Sequence, residues 1–226
     1  LHSLGDDPVF EAGVNLNTTM TVSAYGQLRH MVLSGVIAGG QLVQERRMAE
    51  QLGISRTPVR EALGRLEGEG LLRRDGRLLF SVSISVPEVM EILTVRRLLE
   101  AEATRDATRH MRSAQIDTVR AAILGMYEPD SVTDDEHWAN DDLLHLSIAR
   151  ASGNNLLLRL IGDLRQRTRM FGLRRIPGRF SVGKAEHLAI LDAMAAGDAE
   201  LAAQRMQSHI DKAREAILAA LAGAPR

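Results

Sequence analysis

With 226 residues the chain is long enough for one large or two ordinary domains, and its 45% apolar content can bury real cores, so a disordered tail is excluded. It has no cysteine, which excludes disulfides and thiolate chemistry, fits a reducing cytoplasm, and leaves any metal to His, Asp or Glu. The formal net charge of −1 hides an uneven spread: over residues 21–85 nine arginines face six carboxylates, a local balance of +3.

Residues 1–20, "LHSLGDDPVFEAGVNLNTTM", show neither helical periodicity nor the basic-then-apolar pattern of a signal segment, and read as a flexible arm or an expression remnant. No apolar run approaches the ~20 residues that span a bilayer, so a soluble, cytoplasmic protein without membrane contact is expected. A first helix is predicted over 22–34 through Tyr25, Leu28, Met31 and Val32, until the glycines of "SGVIAGG" break it. "QERRMAEQLG" predicts a short second helix with Gly53 as a left-handed C-terminal cap. A third opens at "SRTP", where Thr57 can cap and Pro58 suits the first helical position. Val59, Ala62, Leu63 and Leu66 set its buried face and leave Arg56 and Arg60 outside it. "LLRRDGRLLFSV" predicts two short strands about an Asp-Gly turn, with Arg73, Arg74 and Arg77 near the tip.

This order of helices and hairpin is that of a winged helix-turn-helix over 21–83, in which the third helix enters the major groove by its N-terminal end and the wing meets phosphate or the minor groove. A small helical domain with a solvated basic face is the plain alternative; the tight turn, the Ser/Thr-Pro entry and the basic wing favour duplex DNA. An aromatic content of 3% speaks against single-stranded nucleic acid, which needs stacking platforms.

From Pro87 onward the pattern is helical, with helices predicted near 87–110, 114–126, 134–152, 155–172, 182–196 and 198–221. The expected fold is therefore mainly α: the winged domain followed by an all-helical bundle of six to seven helices over 87–222. In the helix around Trp138, the stripe Trp138, Asp141, His145, Ile148 puts a carboxylate and an imidazole on one inward face. His187 and His209 each lie on apolar stripes, about ten to twelve residues either side of the "AAGD" turn. At ~1.5 Å rise per residue the two reach one level of an antiparallel pair. A single inward His is most often a hydrogen-bonded core residue; four such groups are better explained as a cluster, because buried ionisable groups are costly unless paired or metal-bound. Three nitrogens and one oxygen suit a borderline divalent ion, zinc first, with nickel, manganese or iron as alternatives. His137 is a substitute ligand at the rim. Arg96 also falls on an inward stripe, where it can meet an anionic ligand or pair with Glu100. The arginines of "LRQRTRMFGLRRIPGR" read as solvated or interfacial.

The stretch "LSGVIAGGQLVQERRMAEQLGISRTPVREALGRLEGEGLLRRDG" closely resembles the DNA-binding domain of GntR-type bacterial transcription regulators. "VRRLLEAEA", "NDDLLHLSIARASGNNLL" and "EHLAILDAMAAGDAELAAQRMQSHI" resemble the helical FCD effector domain of the FadR subfamily. The resemblance implies a homodimer on a pseudo-palindromic operator, usually a repressor, governed by a small organic acid. It implies DNA contacts by Arg46, Arg56, Thr57 and Arg60, with Gly76 and Arg77 in the wing. It implies a metal on Asp141, His145, His187 and His209, and a carboxylate effector held by Arg96. One departure is Leu144, where an aromatic residue usually precedes the metal histidine, which alters pocket packing. The rival readings are a metal-dependent enzyme using the same four residues, and a DNA-binding protein without effector whose four polar residues are structural. Against the enzyme, no separate inward acid or base accompanies the cluster, and an enzyme has no use for a basic winged helix.

Overall fold

The computed structural model describes the backbone of residues 8–125, 134–171 and 179–223, and the side chains of 21–125, 136, 138, 139, 141–171 and 183–223. The chain divides into two compact units, Leu1–Ser83 and Ile84–Arg226.

The first unit contains α1 (Pro8–Leu33), β1 (Leu42–Val43), α2 (Glu45–Leu52), α3 (Arg56–Gly68), β2 (Leu72–Asp75) and β3 (Leu78–Ser81). Helix α1 corrects the expectation of an aperiodic arm over 1–20: residues 1–7 lie outside the described residues, but helix runs from Pro8. Between Pro8 and Leu33 stand no breakers other than two glycines, and a helix nucleated at its C-terminal half propagates backward at one hydrogen bond per residue. Leu28 on α1 and Val59, Ala62 and Leu66 on α3 are fully buried, and the two helices pack together. Gly53 ends α2 with φ 65°, its N–H donating to the carbonyls of Ala49 and Glu50. Helix α3 starts earlier than Thr57, because Ser55 holds the extended N-cap conformation. Pro58 is thus the third helical residue, still within the turn whose N–H groups lack helical partners. In the hairpin Asp75 pairs with Leu78, so the loop is Gly76–Arg77 and not Asp75–Gly76. Gly76 takes φ 56°, the left-handed value such short loops require. The short β1 extends the hairpin into an antiparallel sheet of order β1-β3-β2.

Among the described residues the second unit is α4 (Val86–His110), α5 (Ser113–Gly125), α6 (Asp134–Ala151), α7 (Asn155–Met170), α8 (Arg179–Ala195) and α9 (Ala199–Gly223). The Ser85 side chain accepts the Glu88 N–H at the start of α4, and Asn154 accepts those of Leu156 and Leu157 at the start of α7. Helix α4 packs against α6, α7 and α9, which makes it the spine of the bundle, and Val89, Ala103 and Ala107 along it are fully buried. Gly197, at φ 73°, turns the chain so that α8 and α9 pack side by side.

Candidate functional site

Four side chains on three helices of the bundle meet at one point. Asp141 and His145 come from α6, one turn apart; His187 comes from α8 and His209 from α9. Each offers a ligand atom, and these atoms lie within 4.8 Å of one another. His187 Nε2 is 3.3 Å from His209 Nε2 and 3.3 Å from Asp141 Oδ1, and His145 Nε2 is 3.7 Å from that same oxygen. Two ligands on a tetrahedral ion with bonds near 2.0–2.1 Å stand about 3.3 Å apart, so the spacing suits a zinc-sized ion.

The outward nitrogens are already committed. His145 Nδ1 is hydrogen-bonded to Glu100 on α4, and His209 Nδ1 to Glu186 on α8 at 2.8 Å. A carboxylate on Nδ1 holds the proton there and leaves Nε2 a bare lone pair facing the cluster, the tautomer a metal needs. The Nε2 of His145 is buried and has no hydrogen-bond partner. These residues therefore fit a divalent ion on grounds of geometry, tautomer and an orphaned lone pair. Burial, with the Arg165 charge nearby, pushes the His145 imidazole down to about 4, against the pull of Glu100 and Asp141. Burial likewise brings His209 down to about 3, although Glu186 opposes it. Both rings are thus neutral and ready to donate to a metal near neutral pH.

The wall of the cluster is a charge network. Arg165 of α7, only 2% exposed, donates to Asp141 Oδ2 at 2.7 Å and to Asp142 Oδ1 at 2.9 and 2.7 Å. Burial alone would raise the Asp141 carboxyl, but Arg165 and the histidines hold it well below the usual carboxylate range. Arg96 is buried, donating from Nε to Glu100 Oε1 at 2.6 Å and from Nη1 to Thr168 Oγ1 at 3.2 Å. The pairing with Glu100 is the one its place on the stripe allowed. Glu100 is held below the usual range because Arg96 and His145 outweigh its burial. Leu144, on α6 between Asp141 and His145, is fully buried and fills core space, and the side chain of His137 lies outside the described residues.

In the first unit the basic residues lie on the surface. Arg56 and Arg60 share Glu45: Arg56 Nε donates to Oε1 at 3.0 Å, and Arg60 donates through Nε to Oε2 and through Nη2 to Oε1, each at 3.0 Å. Arg46 pairs with Glu50 along α2 at 3.1 Å. Thr57 and Arg77 are exposed. Arg74 forms a two-bond pair with Glu67 of α3 at 2.9 and 2.7 Å, and the Arg73 guanidinium sits 5.5 Å from the Phe80 ring.

Residues 91–212 match the FCD domain family, and residues 20–78 match the gntR family of bacterial regulatory proteins. The chain belongs to the GntR regulators that carry an FCD domain. This regulator is 27% identical over 195 residues to the "Nta operon transcriptional regulator" of Aminobacter aminovorans, covering 86% of its own length and 92% of the relative's. It is 28% identical over 190 residues to an "HTH-type transcriptional regulator in unstable DNA locus" of Streptomyces ambofaciens, covering 82% and 80%. Its fold resembles "E. coli McbR/YncC", with a TM-score of 0.74 at 22% identity over 90% and 99% of the two chains. The family is one of transcription regulators, which sets aside the enzyme reading. No helix among the described residues is long and apolar enough to cross a membrane.

Sequence reasoning missed two members of the regulator's cluster. Arg165 falls among the arginines read as solvated or interfacial, yet Leu157, Ile161 and Arg165 recur every fourth residue and all three are buried; continuing that stripe by one turn places it inward. Glu186 immediately precedes His187, and no periodicity separates a carboxylate that grips a neighbouring helix's imidazole from an ordinary surface acid.

Proposed function

We propose that the regulator is a homodimeric, cytoplasmic repressor that holds one divalent metal per subunit on Asp141, His145, His187 and His209 and answers a small carboxylate. The observation that carries this reading is that one ligand atom from each of Asp141, His145, His187 and His209 lies within 4.8 Å of the others, with His145 Nε2 buried and without a hydrogen-bond partner. Zinc is the first choice for three nitrogens and one oxygen; nickel, manganese and iron are the alternatives. When bound, such an ion supplies open coordination positions to the effector's carboxylate. A guanidinium has five N–H groups, and Arg96 commits only two in the hydrogen bonds to Glu100 and Thr168, so it can also hold that carboxylate.

Arg46, Arg56, Thr57 and Arg60 face the operator from α2 and α3, and Gly76 with Arg77 forms the wing tip. The dimer is supported by α4 and α7, which pack together while leaving Val95, Leu98, Leu156 and Leu160 exposed. Repression follows if effector-free protein covers its operator, and release follows only if the acid binds the two states of the protein unequally.

The test is elemental analysis paired with calorimetric titration of small mono- and dicarboxylates. One metal per subunit is expected, lost in His187→Ala. A metal-free protein that binds the same acid as tightly as the refilled one would sink the mechanism.

A further inference from the structure

We propose that Glu45 is the positioning residue that aims Arg56 and Arg60 at base edges, so that sequence discrimination depends on a carboxylate that need not touch DNA. The inference rests on the reading of α3 as the operator-facing helix.

Arg56 and Arg60 stand one helical turn apart on α3 and so project from one face. Their side chains are 61% and 66% exposed, and long exposed arginines ordinarily sample many rotamers. Here neither is free. Glu45, the first residue of α2, offers both carboxylate oxygens across the turn, and the three bonds at 3.0 Å fix the rotation of the Arg60 guanidinium and restrain that of Arg56. Helix α2 holds the carboxylate still: Met48 and Ala49 bury its inner face, and the helix N-terminus favours a negative charge at its first residue. By contrast, Arg46 pairs with Glu50 along its own helix, which ties it to nothing outside α2.

The edges used are the informative detail. Arg60 spends its Nε and Nη2 side edge on Glu45, and Arg56 spends its Nε. In both, the end formed by Nη1 and Nη2 keeps outward N–H groups, and that end is the fork that reads guanine O6 and N7. The carboxylate therefore orients each fork without occupying it. It also places a negative charge near the phosphate backbone, which weakens sequence-independent attraction. Glu45 thus acts in two directions: it strengthens the correct complex by orientation and weakens incorrect ones by repulsion.

The test uses the full chain and two duplexes, one enriched by the wild-type protein from a random pool and one of the same composition scrambled, at fixed salt. For Glu45→Gln, which keeps size and helix propensity, affinity for the enriched duplex should fall on the order of tenfold while affinity for the scrambled duplex stays equal or rises. In the Arg56→Ala/Arg60→Ala background the same change should leave the ratio between duplexes unaltered, because nothing remains to be aimed. A purely structural role would instead lower both affinities together and lower the melting temperature, and that result overturns the proposal. So does an unchanged ratio in an otherwise intact Glu45→Gln protein. If the wild type enriches no duplex, the operator-facing reading of α3 falls with it; if it enriches one and the ratio does not move, only the role of Glu45 is lost.

Discussion

Arg165 is buried and pairs with Asp141, which is mostly covered, and with Asp142, which is half-buried; removing the cation leaves the Asp141 charge uncompensated. Arg165→Met should therefore destabilise the metal-free bundle by about 2–3 kcal/mol, less than the loss of a fully buried pair because Asp142 is partly solvated, read from urea unfolding. A loss below ~1 kcal/mol would mean that Asp141 and Asp142 are solvated well enough without it. The imidazoles make a second case. His145 and His209 titrate at about 4 and about 3 in the folded, metal-free chain, against ~6.5 when unfolded. Below ~6.5 the unfolded state takes up protons that the folded state refuses, so stability is complete above that pH and declines as pH falls through about 4 to about 3. The urea midpoint of metal-free protein should be lower at pH 5 than at pH 7; an equal or higher midpoint at pH 5 would contradict burial of neutral rings. The four clustered residues were legible in the sequence because each lies on an apolar stripe. Glu100 was legible only as one candidate partner of Arg96, and Glu186 was not legible, because its role depends on which face of α9 comes against it.

The hairpin illustrates what a short element can and cannot announce. "RRDGR" marks a turn, but the register that puts Gly76 and Arg77 in the loop is set by the pairing of Leu72 with Ser81, which the local pattern does not specify. The helices after Pro87 were readable to within a few residues because they are long and most of their ends fall at Gly, Pro or Asn, whereas β1 has two residues and no period to read. The wing arginines also divide by structure. Arg74 is drawn back to Glu67 on α3, while Arg77 stands exposed in the loop. Replacing Arg77 by Ala should flatten the slope of log affinity against log salt by roughly 0.9, the value for one phosphate that is no longer neutralised. Arg74→Ala should flatten it less. Equal slopes for both variants would show that the Glu67 pair opens on DNA. Gly76→Val should weaken binding without touching any charge, since a β-branched residue resists φ 56°.

For the regulator taken entire, the decisive quantity on the proposed reading is coupling between operator DNA and a carboxylate effector. If the acid lowers operator affinity by some factor, operator DNA must lower acid affinity by the same factor, because linkage is reciprocal. Titrating acid into protein with and without duplex measures one side, and titrating duplex with and without acid measures the other; unequal factors would mean a third species, such as a change of oligomeric state. That state has its own test. Leu98→Asp places a charge among the exposed apolar residues of α4 and should convert the proposed dimer to monomer in sedimentation while leaving the metal content of the proposed site unchanged. A dimer that survives the change lies elsewhere on the surface.

The turn at Gly197 joins two helices that each present one histidine to the cluster. Lengthening that turn by a residue leaves both histidines at their places on the helices. Adding a residue inside α9 between the turn and His209 swings the ring about 100° around the helix axis and out of the cluster. An ion held as proposed would act as a rotational key: it would accept α8 and α9 in only one angular phase, so that a small roll of either helix would become gain or loss of a ligand.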